Sequence, residues 1–196
     1  MKVLVACEFF GTVRDVFLAR GHEAVSCDLL ESESYGPHVR GDVRWLLTKG
    51  WDLMIAHPPC TYLCNSGVCH LHTRPGRWEL MRQACDFFLE LLNAPIPRIA
   101  VENPRQHKYA REIIGPYSQV IHPHEHGHGE SKATCLWLKG LPPLMATDLV
   151  PGRVQRLHRL SPGPDRWKLR SATYPGIANA MAEQWGNTTN EQEETR

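Results

Sequence analysis

The chain has 196 residues, which is enough for one domain with a hydrophobic core and too few for two large ones. Hydrophobic residues make up 42% of the sequence and charged residues 22%, a balance typical of globular proteins rather than of disordered or fibrous ones. The formal net charge of +1 gives no overall electrostatic signal for a nucleic-acid partner, so any such signal must come from a local cluster.

The sequence indicates a protein that stays inside the cell. Its first residues lead directly into a short apolar run, and no apolar run approaches 18 residues, so neither a signal peptide nor a membrane span is predicted. The cysteines are odd in number and scattered, at Cys7, Cys27, Cys60, Cys64, Cys69, Cys85 and Cys135. We therefore expect reduced thiols rather than a disulfide framework, and a cytoplasmic location.

The first elements in chain order alternate between strands and a helix. Residues 2–6 form an apolar run that predicts a strand, and the stretch after Gly11 has apolar residues every three or four positions, which predicts a helix. Residues 23–27 predict a second strand that ends at Asp28. A strand, a glycine turn, a helix and a strand that ends in an acid are typical of the start of a nucleotide-binding α/β domain.

The middle of the chain continues this alternation. Residues 39–43 and 52–56 predict two more strands, the first of which ends near Asp42. An amphipathic helix over 78–92 separates them from a fifth strand at 98–101. Polar residues therefore collect at the carboxyl ends of strands, which is where open α/β sheets bind their ligands.

The last third of the chain predicts shorter elements. In order, these are a helix at 106–114, strands at 119–121 and 134–138, a basic irregular stretch at 153–170 and a final helix at 176–185. We expect a single catalytic domain over residues 1–186, followed by a polar, disordered tail at 187–196.

The most informative motif is the tetrapeptide His-Pro-Pro-Cys at residues 57–60, directly after the fourth predicted strand. A thiol on a proline-stiffened turn at a strand end is placed where nucleophiles are common, and the next strand is followed by Glu102 and Asn103. This pairing predicts a thiolate nucleophile, Cys60, beside a carboxyl proton donor. The alternatives are a structural cysteine in a tight turn and a glutamate that only caps the next helix.

Two acids follow the second and third predicted strands. Asp28 and Asp42 suit an adenosine-type ligand, one for the ribose hydroxyls and one for the exocyclic amine of the base. The single glycine at position 11 does not form a phosphate-binding loop, so a cofactor without phosphates, S-adenosylmethionine, fits better. The alternative is that both acids only cap turns.

Taken in order, these motifs resemble the cytosine-C5 methyltransferases, in particular small phage-type members of that superfamily without a target-recognition region. The residues that carry the resemblance are Phe10-Gly11, Asp28, Gly41-Asp42, Pro58-Pro59-Cys60, Glu102-Asn103 and the segment at 176–180. The resemblance covers most of residues 1–186. It implies an α/β fold of the class I S-adenosylmethionine-dependent methyltransferase type, which is Rossmann-like.

The resemblance also implies a role for each matching residue. Cys60 would add to carbon 6 of a cytosine, Glu102 would protonate ring nitrogen 3 with a pKa raised by a closed pocket, and Asn103 would fix the turn that aims Glu102. Phe9 or Phe10 would stack on the adenine of the cofactor. The residues expected on the cofactor side are Phe9, Phe10, Gly11, Asp28, Asp42, Pro58 and Asn179.

Two departures from the family bear on the substrate. Lys132 and Thr134 stand where the family has two arginines that bind the base and its phosphate, and Lys132 offers a point charge instead of a bidentate fork. Sequence-specific members also carry a target-recognition region between the strand that follows Lys132 and the last motif, where this chain has only about 40 residues. The expected substrate is therefore DNA read with little sequence specificity, or a free cytosine nucleotide such as dCMP. Phosphate contacts could come from Arg153, Arg156, Arg159, Arg166, Lys168 and Arg170.

Other classes of function stay open at this point. One alternative is a non-catalytic binder of nucleic acid or protein on a degenerate methyltransferase fold. Another is a zinc-binding protein that uses Cys60, Cys64, Cys69, His70 and His72. The alternating histidines from His122 to His128 could also hold a metal, although the proline and glycines among them indicate a loop. Cys64 stands where the family has a serine, and we interpret it as a loop residue.

Overall fold

A seven-stranded sheet organises the chain in the computed structural model, which describes residues 1–157 and 159–187. The predicted tail lies outside the described residues from position 188 onward. The strands of this sheet are β1 (Lys2–Ala6), β2 (Glu23–Asp28), β3 (His38–Arg40), β4 (Leu53–Ala56), β5 (Arg98–Asn103), β6 (Gln119–Ile121) and β7 (Thr134–Lys139). The α-helices described are α1 (Thr12–Ala19), α2 (His70–Thr73), α3 (Arg77–Leu92), α4 (Lys108–Ile114), α5 (Arg166–Ser171) and α6 (Pro175–Gly186).

The strand order is β3-β2-β1-β4-β5-β7-β6. The first five strands are parallel, whereas β7 runs antiparallel to both β5 and β6. The direction of chain progression across the sheet reverses between β1 and β4, and this reversal opens a crevice at the carboxyl ends of these two strands. The predicted Rossmann-like α/β fold is confirmed.

Three differences from the predicted elements exceed a small shift of bounds or bear on the site, and the first two have a local reason. The third strand stops at Arg40 because Asp42 accepts a hydrogen bond from the backbone of Arg44 and starts a 3-10 turn there. The fifth strand extends through Glu102 and Asn103 because β7 pairs with both residues. The basic stretch predicted as irregular contains helix α5.

Both faces of the sheet are covered. Alternate residues of the central strands point into two hydrophobic clusters, one beneath α3 and the other beneath α1 and α6. Phe88 and Trp137 pack edge to face in the first cluster with ring centroids 4.9 Å apart, and Phe17 and Trp185 are fully buried in the second. This double cover explains why the strands read as continuous apolar runs.

The part of the chain that the structure describes contains no helix that is both long and apolar enough to span a membrane.

The packing of α3 predicts the effect of a core substitution. Phe88→Ala removes a fully buried ring, and we expect the free energy of unfolding to fall by about 3–5 kcal/mol. Leu80→Ala on the same helix is the control, because Leu80 is 40% exposed and its loss should cost less than about 1 kcal/mol. Urea denaturation followed by circular dichroism measures both. Equal losses for the two variants would contradict the described orientation of α3.

Candidate active site

Two adjoining cavities lie at the edge of the sheet where the carboxyl ends of β1, β4 and β5 meet. The first, the Cys60 cavity, has a volume of about 150 Å³ and is lined by Cys60, His57, Glu102, Asn103, Lys132 and neighbouring residues. The second, the Asp28 cavity, has a volume of about 200 Å³ and is lined by Asp28, Asp42, Arg44, Phe87 and neighbouring residues. Cys7 and Pro59 line both cavities, so the two spaces are adjacent.

The amide of Asn103 fixes the turn that carries Cys60. Asn103 is buried on β5, and its Nδ2 donates a hydrogen bond of 2.8 Å to the carbonyl oxygen of Pro58. Because this bond joins the end of β5 to the turn after β4, it holds the cysteine turn against the neighbouring strand. The expectation was that Asn103 would fix the turn of Glu102; its observed partner is instead the turn of Cys60.

Glu102 is paired with a residue that the sequence analysis gave no role. The Nδ1 atom of His57 lies 2.7 Å from Oε2 of Glu102, and the two side chains are only 13% and 15% exposed. The signal for His57 was present in the sequence, since it follows a buried strand three residues before the predicted nucleophile.

The charge state of Glu102 is opposite to the expected one. Burial alone would raise its pKa, but the hydrogen bond and charge of His57, with the charge of Lys132 and a hydrogen bond from Thr134, hold the pKa at about 2. Burial likewise opposes a charged His57, yet the hydrogen bond and charge of Glu102 and the charge of Glu8 raise the pKa of His57 above its ordinary value. The prediction of a raised Glu102 pKa is wrong because the imidazolium neutralises the carboxylate.

Glu8 is a second buried carboxyl that the sequence analysis missed. Its oxygens accept hydrogen bonds from the backbone nitrogens of Val13 and Arg14, at 2.7 and 3.3 Å, in the first turn of α1. Burial raises the pKa of Glu8, against the opposing charge of His57 and these backbone bonds. The amino end of a helix favours a negative charge, so Glu8 is anchored where it also faces the Cys60 cavity.

Cys60 has a thiol partner, Cys64, one turn further along the chain. The backbone nitrogen of Cys64 donates to the carbonyl oxygen of Cys60 at 3.1 Å, and the Sγ atom of Cys64 lies 3.0 Å from Oγ of Ser66. The hydrogen bond donated by Cys60, with that of Ser66, lowers the pKa of Cys64 to about 5 against the effect of burial. The hydrogen bond with Cys64 and burial raise the pKa of Cys60, whereas the charge of Lys132 lowers it. Cys64 therefore acts on the predicted nucleophile and is more than a loop residue.

Antiparallel β7 brings Lys132 and Thr134 to the site by its amino end. Lys132 lines the Cys60 cavity, and its Nζ donates to the carbonyl oxygen of Ala172 at 3.2 Å. The side chain of Thr134 is hydrogen-bonded to Glu102. Both residues thus stand beside the carboxylate of Glu102.

The two predicted cofactor acids both cap turns and line the Asp28 cavity. Asp28 Oδ1 accepts from the backbone nitrogen of Leu30 at 2.9 Å, and Asp42 accepts from the backbone and the guanidinium of Arg44 at 3.0 and 3.1 Å. The Arg44 guanidinium also stacks on the ring of Phe87, 4.6 Å from its centroid. The second oxygen of Asp28 leaves room for a ligand, whereas both oxygens of Asp42 already accept hydrogen bonds from Arg44.

The remaining predicted cofactor residues lie elsewhere. Phe9 and Phe10, with ring centroids 4.3 Å apart, line the Cys60 cavity together with Pro58, rather than the Asp28 cavity. Gly11 begins α1 with a φ of +76°, a conformation that favours glycine, and an added Cβ would collide with Ser34. Asn179 on α6 accepts a hydrogen bond from Arg20 and lines neither cavity.

Three of the six predicted phosphate contacts are paired with other side chains, and a fourth lines a cavity. Of the other two, Arg166 is the first residue of α5, and Arg159 lies in the segment before it. Arg153 contacts His124 at 3.1 Å, Arg156 pairs with Glu130 at 2.7 Å and Lys168 of α5 pairs with Glu33. Arg170 lines the Cys60 cavity with its neighbours Ser171 and Thr173. Helix α5 thereby forms a roof over that cavity, and its Trp167 packs 5.8 Å from the ring of Phe9.

The metal-binding alternatives find no support in the described part of the chain. Residues 1–157 and 159–187 contain no group of three or more histidine, cysteine, aspartate or glutamate side chains placed to hold a metal. The histidine run instead packs its own loop. His126 Nδ1 lies 3.1 Å from the hydroxyl of Thr147, and His128 Nε2 accepts from the backbone of Gly176 at 3.0 Å.

No protein-family model matches the chain, and no curated protein matches its sequence. Among solved structures, it is similar to a protein of an E. coli prophage described as a DNA modification methyltransferase, with a TM-score of 0.49 and 15% identity over 83% of this chain and 55% of that one. It is also similar to the Entamoeba histolytica methyltransferase EhMeth, with a TM-score of 0.49 and 14% identity over 76% of this chain and 57% of that one. A third similar structure is the Dnmt2 methyltransferase of S. pombe, with a TM-score of 0.47 and 14% identity over 73% of this chain and 51% of that one. The chain therefore spans little more than half the length of these proteins.

The seven-stranded order of the sheet, with β7 inserted antiparallel beside β5, is the feature that decides the fold class. The fold is a seven-stranded, Rossmann-like α/β fold with one antiparallel strand beside β5. In this fold, the Asp28 cavity and the Cys60 cavity occupy neighbouring places along the carboxyl edge of the parallel strands.

The contact between Cys60 and Cys64 predicts that Cys64 lowers the reactivity of the Cys60 thiol. In Cys64→Ala the partner that raises the pKa of Cys60 is gone, so the thiolate fraction of Cys60 at neutral pH should increase. Each unit by which the pKa falls gives about tenfold more thiolate, and we expect alkylation of Cys60 by iodoacetamide to accelerate by at least that factor. Peptide mass spectrometry measures the rate at Cys60 alone. Cys69→Ala is the control, because the Cys69 thiol contacts His70 instead. Slower alkylation of Cys60 in Cys64→Ala would contradict this assignment of the shared proton.

Proposed function

We propose that the chain is an S-adenosylmethionine-dependent methyltransferase that acts at carbon 5 of cytosine through a covalent adduct with Cys60. The observation that carries this proposal is the placement of Cys60 and Glu102 in one cavity that adjoins a second cavity lined by Asp28 and Asp42. A methyl transfer needs a cofactor and an acceptor in neighbouring spaces, with a nucleophile and a proton donor on the acceptor side.

The lining of the Asp28 cavity fits an adenosine-containing cofactor without phosphates. Oδ2 of Asp28 is available for ribose hydroxyls or for the exocyclic amine, and the oxygens of Asp42, which already accept from Arg44, each have a further lone pair. The ring of Phe87 offers an apolar face for a base, a role that we assign to it instead of to Phe9 or Phe10. When bound, S-adenosylmethionine would supply an electrophilic methyl group.

The residues of the Cys60 cavity fit chemistry on a cytosine ring. Carbon 5 of cytosine is a weak nucleophile, and addition of the Cys60 thiolate to carbon 6 converts the ring into an enamine that attacks through carbon 5. The negative charge of this addition develops at ring nitrogen 3, where Glu102 would bind. Asn103 holds the attacking sulfur in place through Pro58.

The cationic side chains at the mouth of the cavity favour a nucleotide over a free base. Lys132 and Arg170 line the same cavity as Cys60, and both are suited to contact a phosphate group. Because α5 roofs the cavity and no target-recognition region is present in the described chain, we propose DNA read with little sequence preference or a single cytosine nucleotide such as dCMP. For DNA, the target base would have to leave the helix to reach Cys60.

Transfer of a labelled methyl group tests this proposal directly. We expect label from S-adenosylmethionine to appear in at least one member of a panel of DNA, RNA and dCMP, and to fall to background with Cys60→Ser. Cys69→Ser is the matched control, since Cys69 is an exposed thiol beside His70, and it should keep full activity. Transfer that persists in Cys60→Ser would overturn the covalent mechanism.

Cofactor binding tests the Asp28 cavity separately from catalysis. Asp28→Asn keeps the side-chain shape but removes its charge, so we expect the dissociation constant for S-adenosylmethionine to rise at least about tenfold, as hydrogen bonds to charged groups contribute about 1.5–3 kcal/mol. Isothermal titration calorimetry measures this change. Glu31→Gln is the control, because Glu31 is an exposed acid paired with Arg40. Equal affinities of the two variants would place the cofactor elsewhere.

A further inference from the structure

We propose that His57 is a positioning residue that stores the proton which Glu102 delivers to ring nitrogen 3 of the bound cytosine. This inference rests on the proposed function and deepens it. The cysteine motif of the family resemblance begins at Pro58 and leaves His57 without a role.

The sheet register forces His57 and Glu102 together. Ala56 of β4 lies opposite Val101 of β5, so the next residue of each chain segment, His57 and Glu102, emerges at the same level of the sheet edge. Their side chains meet at 2.7 Å, a length typical of a hydrogen bond between ionised groups. Both are largely shielded from water, which keeps the contact intact while a ligand occupies the cavity.

The charges around the imidazole favour its protonated form. Glu102 faces it from β5 and Glu8 from the loop before α1, while Lys132 opposes them from the segment before β7. These groups raise the pKa of His57 and hold that of Glu102 low. The favoured state of the pair is a carboxylate beside an imidazolium, and in that state Glu102 has no proton of its own to give.

The other ring nitrogen of His57, Nε2, indicates that this residue can contact a ligand. Nε2 is buried and has no hydrogen-bond partner within the described part of the chain, and the ring lines the Cys60 cavity. A histidine that only supported the fold would be expected to satisfy both nitrogens, since buried polar atoms are normally paired. The free nitrogen leaves the imidazolium one donor for the contents of the cavity.

Each proton that one group releases during the reaction is taken up by another group. The Cys60 thiolate forms a bond to carbon 6, the pair of electrons of the double bond between carbons 5 and 6 moves into the ring, and nitrogen 3 takes a proton from Glu102. Glu102 in turn takes the Nδ1 proton of His57, which becomes neutral imidazole. Carbon 5 of the enamine then takes the methyl group that S-adenosylmethionine would supply. A water molecule takes the hydrogen of carbon 5 as a proton, the electrons of that bond re-form the double bond between carbons 5 and 6, and the sulfur leaves carbon 6 as thiolate. The proton on nitrogen 3 returns through Glu102 to His57.

His57→Asn tests this role because asparagine can still donate a hydrogen bond to Glu102 but has no proton to release. In the wild type, activity should be lost as pH rises through the raised pKa of His57. In His57→Asn, Glu102 must itself be protonated, so this alkaline loss should move to lower pH. General acid catalysis contributes about 10²–10⁴-fold, and we expect turnover at pH 7 to fall at least about 100-fold.

The assay uses whichever of DNA, RNA or dCMP accepts the methyl label, with cofactor binding by calorimetry as the check that the variant is folded. His57→Gln is measured in parallel as a second variant that cannot release a proton. A uniform loss of rate at every pH, with no movement of the alkaline limb, would show a structural role only and would overturn the proposal.

A spectroscopic measurement separates this inference from the proposed function. With ¹⁵N-labelled histidine, the His57 signal, identified by its absence from His57→Asn, should be that of an imidazolium at neutral pH and should become neutral in Glu102→Gln. A neutral His57 in the wild type would overturn the inference even if Cys60-dependent transfer occurs. An imidazolium without any Cys60-dependent transfer would instead overturn the proposed function, and with it the delivery of the proton to cytosine.

Discussion

The register between β4 and β5 is the constraint on which the candidate site depends. Both strands are packed on both faces, so a shift of one residue would exchange the side chains that each strand sends into the two hydrophobic clusters. The fixed register places His57 beside Glu102 and lets Asn103 reach the carbonyl of Pro58. Strand pairing thereby positions the His57–Glu102 pair, and the Asn103 side chain holds the turn of Cys60.

Antiparallel β7 completes the site in a way that a purely parallel sheet could not. The parallel strands deliver residues to this edge by their carboxyl ends, whereas β7 delivers Lys132 and Thr134 by its amino end. A cation and a hydroxyl thus join a carboxylate that comes from β5. The cation also reaches the carbonyl of Ala172, which connects the site to the segment after α5 that helps to roof the cavity.

The electrostatics of the site are those of a buried network in which charges compensate each other. Isolated charges in a low-dielectric interior are costly, and here Glu102 is neutralised by His57, while Glu8 is held by the backbone of the first turn of α1. Cys64 and burial raise the pKa of the Cys60 thiol, against the charge of Lys132. The site thus places several titratable groups within hydrogen-bond reach of one another and largely away from solvent.

Much of the molecule followed from the sequence alone. The apolar runs determined the strands, and β1 and β6 have the predicted bounds, because a buried strand in a doubly covered sheet has a clear compositional signature. The positions of Cys60, Glu102, Asp28 and Asp42 at strand ends were also evident, since parallel strands present these ends at one edge. What the tertiary structure decided was which side chains touch. Local sequence patterns do not encode the register of the strands or the direction of β7. These two features decide the side-chain contacts of the site, and with them the low pKa of Glu102. The contacts are those of His57 with Glu102, of Cys60 with Cys64 and of Asn103 with Pro58.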